Sequence, residues 1–159
     1  MDTHMHLIQF DGGSRGNPGQ IGYGCVVYSP HERVKIAELG GYRPYGTNND
    51  AEYRGLIMGL KWCLAHDIKQ VLILGDSLLV VRQVQGQWKV NGMKRLYRRV
   101  TKLLKMFEHV EVAHVYRCNN TVADGLANEA MDVQGDFERT FTLPKEPEWN
   151  FMGHINFIV

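Results

Sequence analysis

Four acidic residues, Asp11, Glu52, Asp76 and Asp124, each stand at the edge of an apolar segment. Carboxylates brought into one crevice cannot all stay ionised without a cation, because like charges raise one another's pKa. A set of hard oxygen donors with no paired His or Cys favours Mg²⁺ or Mn²⁺ over zinc. Two such ions about 3.5–4 Å apart can activate a water and stabilise the leaving oxygen in an in-line phosphodiester displacement. Each acid alone has a plainer reading, since Asp and Glu are favoured near helix N-termini. Four at element ends around one crevice argue for a metal site. Asp11 also opens the stretch Asp11-Gly12-Gly13-Ser14-Arg15-Gly16-Asn17-Pro18-Gly19, directly after the apolar run Met5 to Phe10. Its composition predicts a tight glycine-rich turn whose backbone N–H groups approach a phosphate, although a simple hairpin turn has a similar composition.

The elements that must position these acids follow from periodicity. Residues 5–11 alternate as a strand, 21–29 are β-branched and aromatic, and 34–42 follow the turn residues Ser29-Pro30-His31-Glu32. Three strands joined by short turns imply an antiparallel meander. Thr47-Asn48-Asn49-Asp50 signals a helix N-terminus, and Leu56, Leu60 and Leu64 continue it. A continuously apolar strand over 70–75 is followed by a short helix from Ser77. A longer helix over about 93–107 carries the stripe Leu96, Val100, Leu103 and Phe107. A strand over 109–116 and a helix capped by Asn119-Asn120-Thr121, running to about Met131, complete the pattern. The order βββ-α-β-α-α-β-α predicts an α/β fold: a mixed sheet in which parallel strands extend the meander through helical crossovers. In such a sheet the C-terminal strand ends face the ligand crevice, which places Asp11 and Asp76 there. Glu52 and Asp124, early in their helices, can point the same way.

With 159 residues, 44% of them hydrophobic, the chain suits one domain with a substantial core. It has no apolar run of about 18 residues, so no membrane helix is expected. Met1-Asp2-Thr3-His4 does not read as a signal peptide. Cys25, Cys63 and Cys118 are odd in number and widely spaced, which points to reduced thiols in a cytosolic protein. The formal net charge of +1 hides a polarised distribution. The 31 residues from Ser77 to Phe107 hold eight basic residues and no acid, leaving 10 basic against 17 acidic elsewhere. A solvated helix face is the plain reading; so long a run without a compensating acid favours contact with a polyanion.

Four segments together, DGGSRGNPG (11–19), TNNDAEYRGL (47–56), GDSLLVV (75–81) and NNTVADGLANEA (119–130), resemble type 1 ribonuclease H, and the resemblance covers roughly residues 5–131. It implies a five-stranded mixed sheet of order 3-2-1-4-5 flanked by helices. The implied activity is endonucleolytic hydrolysis of the RNA strand of RNA–DNA hybrids by a two-metal-ion mechanism, giving 5′-phosphate and 3′-hydroxyl ends. Two Mg²⁺ ions, with Mn²⁺ as substitute, a monomeric state and a cytoplasmic location go with it. Asp11, Glu52, Asp76 and Asp124 fall on the family's metal-binding catalytic acids. Asn17, Asn48 and Asn49 match hybrid contacts, Thr47 a DNA-phosphate position, and Gly12, Gly13 and Ser14 the loop that meets RNA. Short polar side chains suit that task, because 2′-hydroxyls lie in a shallow minor groove.

Three departures from the family pattern stand out. Many bacterial members carry a mobile His before the last Asp. Here counting back from Asp124 nominates His114, whereas aligning the motif keeps His114 as a packed strand residue and makes Arg117 the site contact. The basic protrusion of some members is absent between Gly86 and Met93. Trp88 and Lys89 then read as a remnant of that contact, Trp88 first as a packing aromatic, and Lys94, Arg98 and Lys102 as a partial replacement for the missing charge. Leu78 stands where some relatives have a polar contact. Rival readings with this fold are a hybrid-binding module without catalysis, which the four acids disfavour, and an actin-like ATPase, which needs a second half. A junction resolvase is disfavoured by Asn17, Thr47, Asn48 and Asn49. The domain organisation expected is a catalytic domain over 1–131 and a tail over 132–159. The tail's Trp149, Phe151, Met152, Ile155, Phe157, Ile158 and Val159 are too apolar for a free end. Docking on its own domain is preferred over docking on a partner.

Overall fold

Ile8 and Phe10 are fully buried while Leu7 and Gln9 are not, the two-residue alternation of a strand with one face on a core. In the computed structural model, which describes residues 4–141, that strand is β1 (His6–Arg15). It pairs antiparallel with β2 (Gly19–Tyr28), and β2 pairs antiparallel with β3 (Lys35–Gly46). On the other side β4 (Gln70–Gly75) runs parallel to β1, and β5 (His109–His114) parallel to β4. A short β6 (Phe137–Thr140) adds antiparallel to β3, so the sheet order is β5-β4-β1-β2-β3-β6. The five expected strands and their order are present, with a sixth at the edge.

Helices cover both faces. Helix α1 (Asn48–Ala65) packs on β1 and β2, and α2 (Leu78–Val84) and α3 (Lys94–Leu104) pack beside it. Helix α4 (Thr121–Val133) covers β1, β2 and β3 from the opposite face. The core between the sheet and the first group holds Ile8, Phe10, Val27, Tyr53, Leu56, Leu60, Val71, Ile73, Val80 and Val100, all fully buried. Cys25 and Cys63 are buried free thiols there, their pKa values pushed up by burial, that of Cys63 to about 12, whereas Cys118 is exposed. No helix among the described residues is long and apolar enough to cross a membrane.

The structure corrects the expected turn after Asp11. Strand β1 continues through Gly12, Gly13, Ser14 and Arg15, which face Tyr23, Gly22, Ile21 and Gln20 of β2. The turn is confined to Gly16-Asn17-Pro18, with Gly16 at φ +79° and a cis Asn17-Pro18 bond. Glycine is a weak strand former, but here its partner strand satisfies the backbone, and its missing Cβ lets α1 come close. A Cβ on Gly12 would lie 2.3 Å from the carbonyl carbon of Ala51, and one on Gly24 would lie 2.5 Å from the carbonyl oxygen of Ala123 in α4.

Of the stretch expected as a tail from residue 132, the structure describes residues as far as 141. Helix α4 ends at Val133, and residues 137–140 belong to the sheet. Partners distant in the chain decide this: Arg139 bridges Glu38 of β3 (3.0 Å) and Glu129 of α4 (2.7 and 2.8 Å), and Asp136 accepts the Tyr42 backbone N–H at 2.8 Å. The expectation that residues 144–159 dock lies outside the described residues.

Candidate active site

Three of the acids meet where β1, β4 and α1 converge. Asp11 lies on β1, Asp76 directly follows β4, and Glu52 sits in the second turn of α1. The start of α1 is set by Thr47, whose side chain accepts the Asp50 backbone N–H at 3.2 Å. Asp11, Glu52 and Asp76 each offer an oxygen within 4.8 Å of the others. The Gly12 N–H donates to both Asp11 Oδ1 (2.9 Å) and Glu52 Oε1 (3.1 Å). Asp11 and Glu52 are each only 6% exposed.

Burial is the largest influence on both groups. It raises Asp11 from 3.8 to about 7, with the neighbouring Asp76 charge and Asp124 adding to the rise, while hydrogen bonds from Glu52 and the Gly12 N–H oppose it. Glu52 is pushed well above the usual carboxylate range by burial and by Asp11. Without a cation, burial and mutual repulsion therefore push both carboxyls toward the protonated form. Glu52 Oε2 is buried and has no hydrogen-bond partner in the structure. Leaving a buried carboxylate oxygen unpaired is costly, so this donor set fits a hard divalent cation.

The fourth acid lines the same crevice but stands apart from this close group. Asp124 is exposed in the first turn of α4. Helix α4 lies on the face of the sheet opposite α1, and its first turn lines the cavity through Asp124. That cavity, about 370 Å³, is also lined by Gly12, Gly13, Ser14, Asn48, Asn49 and Arg117. Ser14 donates to Asn48 Oδ1 through its backbone N–H (2.9 Å) and its hydroxyl (2.8 Å), and Asn17 Oδ1 accepts the Asn48 N–H at 3.1 Å. Ser14 and Asn17, close together in the chain, are thus tied to the distant Asn48, and of the three Ser14 and Asn48 line the cavity.

Thr47 caps α1 and does not line the cavity. His114 ends β5, half-buried, with Nε2 3.2 Å from the Asp76 carbonyl oxygen, whereas Arg117 is exposed in a short 3₁₀ turn, Arg117–Asn119, that borders the cavity. Trp88, expected first as a packing aromatic, is 45% exposed, because the segment after α2 carries it past the core. Lys89 is exposed beside it, and its carbonyl accepts Gln83 Nε2 at 3.2 Å. Leu78 is exposed as well. On α3, Leu96 and Val100 are buried, whereas Lys94, Arg98 and Lys102 are exposed and make no ion pair within 4 Å among the described residues. A larger cleft of about 680 Å³ between α1 and the β3–β6 edge is lined by none of the four acids.

Two residues at the site were not singled out from the sequence. Asn120, 1% exposed, donates through Nδ2 to the Phe10 carbonyl (2.9 Å) and to Asp76 Oδ2 (3.1 Å). Gln9 Nε2 donates to Asn120 Oδ1 at 3.2 Å. Asn120 was expected only as a helix cap, yet its side chain makes no cap bond. The available signal was Gln9, a lone amide inside the apolar run Leu7-Ile8-Gln9-Phe10.

Comparison with known proteins agrees with this geometry. Residues 9–130 match the family described as reverse transcriptase-like. The chain is 44% identical over 129 residues to the bifunctional protein Rv2228c of Mycobacterium tuberculosis, covering 80% of this chain and 35% of that protein. It is 40% identical over 125 residues to ribonuclease HI of Halobacterium salinarum, covering 77% and 62%. The chain therefore spans about a third to three fifths of the length of these curated relatives. Among solved structures, RNase H1 from Halobacterium salinarum superposes with a TM-score of 0.78 at 38% identity, covering 81% of this chain and 98% of that one. LC11-RNase H1, solved in complex with an RNA/DNA hybrid, gives 0.76 at 33% identity, covering 81% and 98%.

Proposed function

Because the chain belongs to the reverse transcriptase-like family and, within it, to the type 1 ribonucleases H, we propose that it is an endonuclease hydrolysing the RNA strand of RNA–DNA hybrids. Two divalent ions, Mg²⁺ or in substitution Mn²⁺, would serve the reaction, which leaves 5′-phosphate and 3′-hydroxyl ends. The observation that carries this reading is the close group Asp11, Glu52 and Asp76, with the unpartnered Glu52 Oε2, at the floor of a polar cavity. Asp11, Glu52 and Asp76 would hold the ions, with Asp124 contributing from the rim. Bound there, the ions would supply an ionised water at neutral pH and offset charge on the leaving oxygen.

The chain's own residues do the rest. Gly13, whose Cβ position opens on free space, leaves bare backbone beside the acids, so an RNA strand can come close. The Ser14–Asn17–Asn48 network presents amide and hydroxyl groups that can hydrogen-bond a 2′-hydroxyl, a group that DNA lacks. Arg117 places a fixed positive charge at the cavity edge, where it can hold a backbone phosphate. Trp88, Lys89 and the cations of α3 extend the contact along the duplex.

Cleavage of matched RNA–DNA, RNA–RNA and DNA–DNA duplexes, with Mg²⁺, Mn²⁺ or EDTA, tests the reading. Metal-dependent cleavage of the hybrid's RNA strand alone is expected; equal cleavage of all three, or none, would overturn it. His114→Ala should lower the melting temperature and leave turnover of the folded enzyme close to wild type, because the ring supports β5 and does not line the cavity. Arg117→Ala should do the reverse, and steady-state kinetics beside thermal melts separate the two. Replacing Lys94, Arg98 and Lys102 together by Gln should reduce the log–log salt slope of hybrid binding by roughly 0.7–0.9 for each phosphate that is no longer neutralised. The rate at saturating hybrid should barely change, and an unaltered slope would make the basic face plain solvated surface.

A further inference from the structure

Gln9 lies two residues before Asp11 on β1, so both side chains leave the same face of the sheet. Its Nε2 donates to the Asn119 carbonyl (2.9 Å) and to Asn120 Oδ1 (3.2 Å). The Asn120 oxygen is thereby engaged as an acceptor, and its Nδ2 donates to the Phe10 carbonyl and to Asp76 Oδ2. Only one orientation of this buried amide satisfies all its neighbours. Flipped, it would set its oxygen against the Phe10 carbonyl and a carboxylate, and its NH₂ against the Gln9 NH₂. The residue stands at the first position before α4, where a side-chain cap is the usual arrangement, and it forgoes that bond.

We propose that Gln9 and Asn120 form a hydrogen-bonded relay that orients Asp76 for cation binding. Gln9 fixes the Asn120 amide, and Asn120 restrains rotation of the Asp76 carboxylate. Neither residue touches the reacting atoms; both are positioning residues, in the manner of outer-shell partners that tune a metal site. The inference rests on the metal-centre reading given above. It also joins two ends of the chain's site machinery, since the relay links β1 to the start of α4, which carries Asp124.

Binding of Mn²⁺ alone to the full chain, followed by calorimetry without hybrid, provides the test, with metal-free melting as the check on folding. Asn120→Asp and Gln9→Glu each replace a donor by an acceptor, and each adds negative charge beside a cation site. A simple charge effect would tighten Mn²⁺ binding, whereas the relay requires both variants to weaken it, by about tenfold or more. Gln9→Met, which removes the donor without adding charge, should give a smaller loss. The Mn²⁺ concentration for half-maximal cleavage should shift in the same order. Gln9 is half-buried, so Gln9→Glu keeps the test decisive even where Asn120→Asp fails to fold. A folded Gln9→Glu protein that binds Mn²⁺ as tightly as wild type, or more tightly, overturns the relay alone. Wild-type protein that neither binds Mn²⁺ nor cleaves hybrid overturns the metal-centre reading and the relay together.

Discussion

Asp11→Asn should reduce hybrid cleavage on the order of 10³-fold while the protein folds and binds hybrid. Removing one cation ligand from the close group of three takes away several kcal/mol of transition-state stabilisation, and about 4 kcal/mol corresponds to that factor. The shape of the site is kept, since Asn is isosteric with Asp and the Gly12 N–H still has an oxygen to donate to. Stability without metal should move the other way. Burial raises the Asp11 pKa from 3.8 to about 7, so between those values the folded protein retains a proton that the unfolded chain has released. The contribution of this group to stability is full below about pH 4 and is lost as the pH rises through about 7. The variant lacks that titration. Its melting temperature should match wild type near pH 4 and exceed it by several degrees near pH 8, and saturating Mg²⁺ should stabilise wild type and narrow the gap. Wild-type turnover by the variant, or a melting difference that does not change with pH, would contradict this account of the site.

Gly12→Ala and Gly13→Ala, adjacent and chemically identical changes, should behave in opposite ways. A Cβ on Gly12 would lie 2.3 Å from the Ala51 carbonyl carbon and 2.4 Å from the Glu52 backbone nitrogen. Backbone cannot swing aside as a side chain can, so α1 must back away from β1. That overpacking should cost about 3 kcal/mol, or roughly 10 °C in melting temperature for a domain of this size. It should also carry Glu52 away from Asp11 and suppress cleavage even in the folded fraction. A Cβ on Gly13 meets nothing within 4 Å and points into open space. Gly13→Ala should melt within a degree or so of wild type and instead raise KM for hybrid, because Gly13 lines the cavity. Paired thermal melts and steady-state kinetics decide the matter; equal melting of the two variants would show that α1 is not held against Gly12.

Much of the architecture was legible in the sequence because the signals that carry it are local. The apolar run Val71-Leu72-Ile73-Leu74 and the Leu56, Leu60 and Leu64 spacing depend on neighbours a few residues away, and they marked β4 and α1 to within a residue or two. Thr47 and Ser77 are caps whose bonds close within three residues, so both helix starts were readable. The position of Asp76 followed from the rule that parallel strands turn their C-terminal ends toward one crevice, whereas Asp11 stands within β1, which runs on to Arg15 after its parallel pairing with β4 stops at Phe10. Chemistry belonged to residue type as well: a donor set made only of carboxylates selects hard cations wherever it is assembled.

Tertiary structure decided what depends on partners distant in the chain. Whether Gly12-Gly13-Ser14 turns or runs straight is set by β2 pairing across from it and by α1 packing over it, and no local propensity reports either. Residues 137–140 hold no strand pattern of their own; Arg139 finds Glu38 and Glu129, and an edge strand forms. Asn120 carries the same local signature whether it caps a helix or reaches across to Asp76, and only the proximity of Gln9 and Phe10 settles its partner. The inward placing of Glu52 and the outward placing of Asp124 arise in the same way. The two helices approach from opposite faces of the sheet, so one acid is buried against the strands while the other is left at the rim, where water can still solvate it.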